Sequence, residues 1–290
     1  MTRYNALLIL LVYILGLQLI VAVKECGIDE MQYGLVGKKR PLKILVSSDK
    51  DYLPVYLNWL SFYRKLCSND DLLYFICLDA ETDAAIQQYN LTCSQKLERR
   101  DNNQQLWLFR TKLLSELLHS GYDVLMSDAD ALWLKDPFFD LQKYSAFDIV
   151  SSRGSHPIDV TKKLGASLCM GFIFVHSTAA TVVFFQDLYV YMLKLKSGHD
   201  DQRDLNRQLY KQGLYYSTKV SLKSSSPNAG KFVYRGNSMN VLLLPQNSYR
   251  RLCKNVTKAV ALESSVLHCY LDKNWAIKKE GARIYGLWVV

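Results

Sequence analysis

The chain has 290 residues, of which 49% are hydrophobic and 22% charged, and a formal net charge of +9. That balance describes a folded globule and excludes a disordered or low-complexity chain. The basic residues are scattered in short runs (Lys38-Lys39-Arg40, Arg99-Arg100, Arg250-Arg251, Lys278-Lys279), so no nucleic-acid-binding helix or stripe emerges.

Ala6 to Val23 is an apolar run of 18 residues, interrupted only by Tyr13, Gly16 and Gln18. As a helix it spans about 27 Å, close to the thickness of a bilayer and longer than the core of a usual cleaved signal. Arg3 and the α-amino group on its N-terminal side orient that end to the cytosol. The expectation is a signal anchor over residues 1–23, a short stem over 24–40, and a folded domain over 41–290. That is a single-pass type II membrane protein with a lumenal domain, the alternative being cleavage and secretion. Two sequons, Asn90-Leu91-Thr92 and Asn255-Val256-Thr257, fit such a compartment. Seven cysteines in an oxidising lumen predict disulfides, and the odd count leaves at least one cysteine without a partner in the chain.

Past Pro41, Leu42 to Val46 reads as a buried strand, and Pro54 to Leu66 as a helix with Tyr56, Leu57, Leu60 and Tyr63 on one side. Leu72 to Leu78 is a second apolar strand ending at Asp79, and Thr82 to Tyr89 a short helix. Leu106, Phe109, Leu113, Leu114 and Leu117 recur at helical spacing until Gly121. A strand around Val124 follows, and it ends in Asp128-Ala129-Asp130. Further strands are expected at 148–150 and 171–175, and a helix at 179–195. Strands alternating with helices predict an α/β fold with a mixed, mostly parallel sheet flanked by helices. In such sheets ligands lie beyond the strand C-termini, where Asp79, Asp128 and Asp130 are expected.

Two carboxylates two residues apart on an extended chain point to the same side. They suit a hard divalent cation, Mn²⁺ or Mg²⁺, which would neutralise a diphosphate. His268 reads either as a core histidine or as an imidazole completing that site. Arg110 and Lys112 read either as a solvated helix face or as contacts to a donor diphosphate. Asp200-Asp201-Gln202-Arg203-Asp204 reads either as helix capping or as carboxylate and amide groups that grip sugar hydroxyls. A strand followed by Asp-x-Asp is also used by haloacid-dehalogenase-like phosphohydrolases, and a secreted glycan-binding protein without catalysis is a further alternative.

The segment GYDVLMSDADALWLKDPF (121–138) resembles the Asp-x-Asp region of the nucleotide-diphospho-sugar transferase family, which includes the plant rhamnogalacturonan-II xylosyltransferases. ILVSSDKDYLPVYLNWLSFYRKL and FICLDAET upstream, and GFIFVHSTAAT, DDQRDLN and LHCYLDKNWAIKK downstream, follow that family's order. The resemblance implies a GT-A fold and a glycosyltransferase. It implies a metal-dependent nucleoside-diphosphate-sugar donor, a glycan or glycoprotein acceptor, and retention of anomeric configuration. It also implies that Asp128 and Asp130 bind the metal, that His268 contacts metal or diphosphate, and that Asp201 and Gln202 sit beside the reacting sugar. One departure stands out: Cys169-Met170-Gly171-Phe172 replaces the family's Asn-Thr-Gly-Phe.

Overall fold

The computed structural model describes residues 40–67, 69–97, 103–195, 197–269 and 274–290. The expected anchor and nearly all of the expected stem lie outside the described residues. Among those described, no helix is long and apolar enough to cross a membrane.

Nine of the described strands form one sheet, in the order β3-β2-β1-β4-β7-β6-β10-β9-β8. Its members are β1 (Leu42–Ser48), β2 (Leu73–Cys77), β3 (Gln95–Lys96), β4 (Asp123–Ser127), β6 (Ile149–Gly154), β7 (Ser167–Val175), β8 (Tyr215–Tyr216), β9 (Asn228–Tyr234) and β10 (Asn237–Leu243). β1 is parallel to both β2 and β4, as the alternating pattern predicts, and β10 is parallel to β6. β7 runs antiparallel to both of its neighbours, β4 and β6, and β9 is antiparallel to β8 and β10. The architecture is therefore mixed α/β, with most strands pointing one way and two reversed. β7 is buried along its whole length, which explains the absence of charged residues and the apolar run from Leu168 to Val175.

Helix Leu53–Leu66 starts with a proline in its first turn and ends on Arg64 and Lys65, both favourable to the helix dipole. It buries Tyr56, Trp59 and Tyr63 at helical spacing. Trp59 and Tyr63 stack, and both meet the edge of Trp133 at centroid distances of 5.5 and 5.7 Å. Trp133 belongs to β5 (Leu132–Trp133), just beyond the Asp-x-Asp turn, and its indole N–H donates to Ser127 Oγ at 3.2 Å. The carboxylate turn thus hangs between β4 and β5, held from behind by a buried aromatic cluster.

A second, three-stranded sheet has the order β11-β12-β5, with β11 at Tyr249–Arg250 and β12 at Val266–Leu267. Val266 pairs with Trp133 and Leu267 with Leu132, antiparallel. That register carries the next residue, His268, back over the carboxylate turn. Disulfides join Cys77 to Cys93 and Cys253 to Cys269, so the residue after His268 is covalently fixed. Cys67 is also disulfide-bonded, and Cys169 is a buried free thiol.

Candidate active site

Asp128, Asp130 and His268 converge, with one ligand atom of each lying within 4.8 Å of the others. His268 Nε2 is 3.3 Å from Asp130 Oδ1 and 3.7 Å from Asp128 Oδ2. The backbone explains the crowding: Asp128 N–H donates to Gly171 C=O at 2.9 Å, continuing the β4–β7 ladder. A Cβ on Gly171 would collide with the His268 ring and with Asp128 Oδ2, so only glycine leaves room for the imidazole and the carboxylate together. The motif departure at Cys169-Met170 spares this glycine. Cys77, Asp83 and Cys93 also cluster, but the disulfide consumes both sulfurs.

Each carboxylate of the pair already faces a cation. Arg110 Nη1 donates to Asp128 Oδ1 at 3.0 Å, and Lys278 Nζ lies 2.5 Å from Asp130 Oδ2. Burial opposes ionisation of Asp130, but His268 and Lys278 outweigh it and hold the carboxyl well below the usual range. Burial and nearby Arg251 push His268 down, yet Asp130 and Cys169 prevail and its pKa is raised above 6.5. Burial likewise raises the Cys169 thiol, but Arg251 and His268 bring it down to about 7.

The group opens onto a cavity of about 460 Å³ at the C-terminal ends of β1 and β4. Its lining includes Ser48, Tyr52, Trp107, Arg251, Trp275 and Lys278 beside the carboxylates. This is the crevice beyond strand C-termini that an α/β sheet is expected to offer.

The remaining expected residues divide. Arg110 lines the cavity from helix Asn103–His119 and is gripped on three sides, by Asp128, by Asp201 Oδ2 at 3.3 Å and by Met170 C=O at 3.3 Å. Asp201, the first residue of helix Asp201–Lys211, does not line the cavity; its carboxylate sits behind Arg110. Its Oδ2 makes that ion pair but no well-aligned hydrogen bond, and burial raises its pKa to about 6 against the pull of Arg110. Gln202 also lies outside the lining. Its Oε1 accepts from Met170 N–H at 3.2 Å and its Nε2 donates to His156 C=O at 2.8 Å, so it braces β7.

Two expected residues are placed away from the cavity. Lys112 is a half-exposed neighbour of Glu116, Nζ to Oε1 3.6 Å, because two residues on from Arg110 a helix turns its side chain to another face. Asp79 caps helix Ala80–Ile86, accepting from Thr82 N–H at 2.7 Å and from Lys50 N–H at 2.7 Å, and is absent from the lining. Tyr52, Trp107, Arg251 and Lys278 were not anticipated. In the sequence Lys278 belongs to a basic pair at the end of the LHCYLDKNWAIKK block, and its partner Asp130 lies far away along the chain.

Residues 67–274 match the family described as nucleotide-diphospho-sugar transferase. A UDP-galactose:fucoside alpha-3-galactosyltransferase of Dictyostelium discoideum is 27% identical over 180 residues, covering 60% of this chain and 26% of that protein. An uncharacterized Arabidopsis thaliana protein is 26% identical over 139 residues, covering 48% of this chain and 38% of that one. The matched region is thus well under half the length of either curated relative. Among solved structures, a glycosyltransferase involved in the glycosylation of the major capsid of PBCV-1 has a TM-score of 0.49 at 8% identity, covering 84% of this chain and 99% of that one. The family match spans both described disulfide pairs, the Asp-x-Asp turn and His268, so the chain belongs to the nucleotide-diphospho-sugar transferase family.

Proposed function

We propose that the protein is a metal-dependent glycosyltransferase that moves a sugar from a nucleoside-diphosphate donor, a UDP-sugar, to a glycan or glycoprotein acceptor with retention of configuration. The observation that carries this reading is the convergence of Asp128, Asp130 and His268 at one cavity wall. Two carboxylates and one imidazole, with a glycine clearing the space, fit Mn²⁺ or Mg²⁺. When bound, the metal supplies charge neutralisation for the leaving diphosphate.

The chain's own residues do the rest. Arg110 fixes the rotamer of Asp128, and the Asp201 carboxylate fixes Arg110. Arg251 and Lys278 add positive charge to the wall, favouring a diphosphate over a neutral sugar. Tyr52, Trp107 and Trp275 offer aromatic faces for a uracil and for sugar rings. The UDP assignment draws on the name of the Dictyostelium relative. Asp201 is held away from the cavity by Arg110, which favours same-face attack by the acceptor hydroxyl over a covalent Asp201 intermediate. A lumenal setting, Golgi-anchored through residues 1–23 or secreted, belongs to the same proposal. The disulfides and the exposed Asn90 and Asn255 of the two sequons support it.

The test is donor hydrolysis and transfer by the lumenal fragment across a panel of UDP- and GDP-sugars with Mn²⁺. The double variant Asp128→Asn/Asp130→Asn is expected to lose turnover by about a hundredfold or more. Full turnover in that variant would end the metal-site reading.

A further inference from the structure

Lys278 sits on helix Trp275–Ile284, with its ammonium against Asp130 and its side chain 10% exposed. A carboxylate oxygen already held by an ammonium offers no free lone pair in that direction. A divalent ion a few ångströms from an ammonium is also strongly repelled in a partly buried site. Either the ammonium leaves or the ion binds poorly.

We propose that Lys278 is the resident counter-ion of Asp130: an entering divalent cation displaces its ammonium, which then binds the nucleoside diphosphate in the cavity that Lys278 lines. The proposal rests on the metal-site reading above. The contrast with Arg110 supports it. Arg110 is clamped by Asp128, Asp201 and Met170 C=O, whereas the one polar partner described for the Lys278 ammonium is Asp130. A flexible stem bearing a point charge can move where a clamped planar fork cannot.

There is also room to move. Lys278 borders the main cavity on one side and, on the other, a void of about 30 Å³ shared with Val55, Asn58, Asp130 and Tyr285. That void can admit a water to take over part of the ion pair. The helix keeps its place independently. Asn274 caps its start through Ala276 N–H at 2.8 Å, and Tyr285 OH donates to Cys253 C=O at 3.2 Å. Asn58 holds the tail beyond it, Nδ2 to Leu287 C=O 2.9 Å and Val289 N–H to Oδ1 2.8 Å.

The experiment measures Mn²⁺ affinity by calorimetry on the full chain without nucleotide, then UDP affinity at saturating Mn²⁺. Lys278→Gln is expected to bind Mn²⁺ about tenfold more tightly and UDP about tenfold more weakly. Lys278→Arg should stay near the parent for Mn²⁺. A lysine that merely anchors the helix would weaken both. If Asp130→Asn loses Mn²⁺ binding while Lys278→Gln fails to tighten it, the counter-ion proposal falls and the metal site stands. If Asp130→Asn binds Mn²⁺ like the parent, both fall. The unmutated protein gives an independent readout. An amine-reactive label should reach Lys278 slowly without metal, about tenfold faster with Mn²⁺, and slowly again with Mn²⁺ and UDP. Equal labelling in all three states would overturn the proposal.

Discussion

Asp201 shows how a buried carboxylate can cost stability while pairing with a neighbouring arginine. Asp200 caps the helix by accepting from Arg203 N–H at 2.7 Å, which leaves Asp201 in the first turn, pointed at Arg110. Burial, with help from the negative charges of Asp128 and Asp200, lifts its pKa from 3.8 to about 6 even though Arg110 pulls the other way. A folded-state pKa above the unfolded one means that folding favours the protonated acid. The stabilisation is fully present below about pH 4 and is lost as pH rises through about 6. Asp201→Asn cannot ionise, so its stability advantage over the parent should be near zero at pH 4, grow between pH 4 and 6, and level off above. About two pKa units set a ceiling of roughly 3 kcal/mol. Thermal melts with chelator at pH 5 and pH 8 check this. A stability gap that fails to widen with pH removes the account. Transfer should fall in the same variant because Arg110 loses the group that orients it.

At the scale of the element, β7 decides how closely the site can be assembled. Its antiparallel pairing with β4 aligns Gly171 with the Asp-x-Asp turn, and the missing Cβ is where the His268 ring lies. Gly171→Ala must push either the imidazole or Asp128 aside. Overpacking of this kind costs about 1–3 kcal/mol, and displacing a ligand weakens metal binding by about ten- to a hundredfold. Calorimetry with Mn²⁺ alongside a thermal melt should show the metal affinity falling while the fold persists. Parent-like affinity would mean that His268 contributes nothing. The same strand marks what the sequence could convey. β1, β2, β4 and β7 stand out as apolar runs because a central sheet buries both of their faces, and the carboxylates at the end of β4 follow from that. β12 is only two residues long and acquires its meaning from pairing with β5, so the return of His268 over the turn is a tertiary fact. The β9–β10 hairpin turns on Arg235-Gly236, both at positive φ, a two-residue turn whose cue is a single Gly. Local rules place Lys112 and Asp79 instead: helix phase sends one to Glu116, and capping claims the other.

Across the whole molecule, helix Leu53–Leu66 couples the two walls of the cavity. One of its faces sets Trp59 and Tyr63 edge-on against Trp133, behind the Asp-x-Asp turn. Asn58, on the same helix and fully buried, uses both ends of its amide to hold backbone groups of the chain's last residues, more than 220 positions away. Those residues follow the helix that carries Lys278, so a single side chain ties the late helix to the early core. Asn58→Ala leaves the buried Leu287 carbonyl without its partner, costing about 1–3 kcal/mol, and frees the Val289 N–H of an exposed residue to bond water. In a domain of this size the melting temperature should fall by roughly 5–10 °C. The tail should also become a site of limited proteolysis, because its described backbone bonds to the core run through Asn58. Asn58→Asp keeps the acceptor for Val289 N–H but buries a carboxylate whose second oxygen faces Leu287 C=O, so at neutral pH it should melt at least as low as Asn58→Ala. If all three melt together and resist protease equally, the tail is held by apolar packing alone, and the coupling of the two walls must run through the Trp133 cluster.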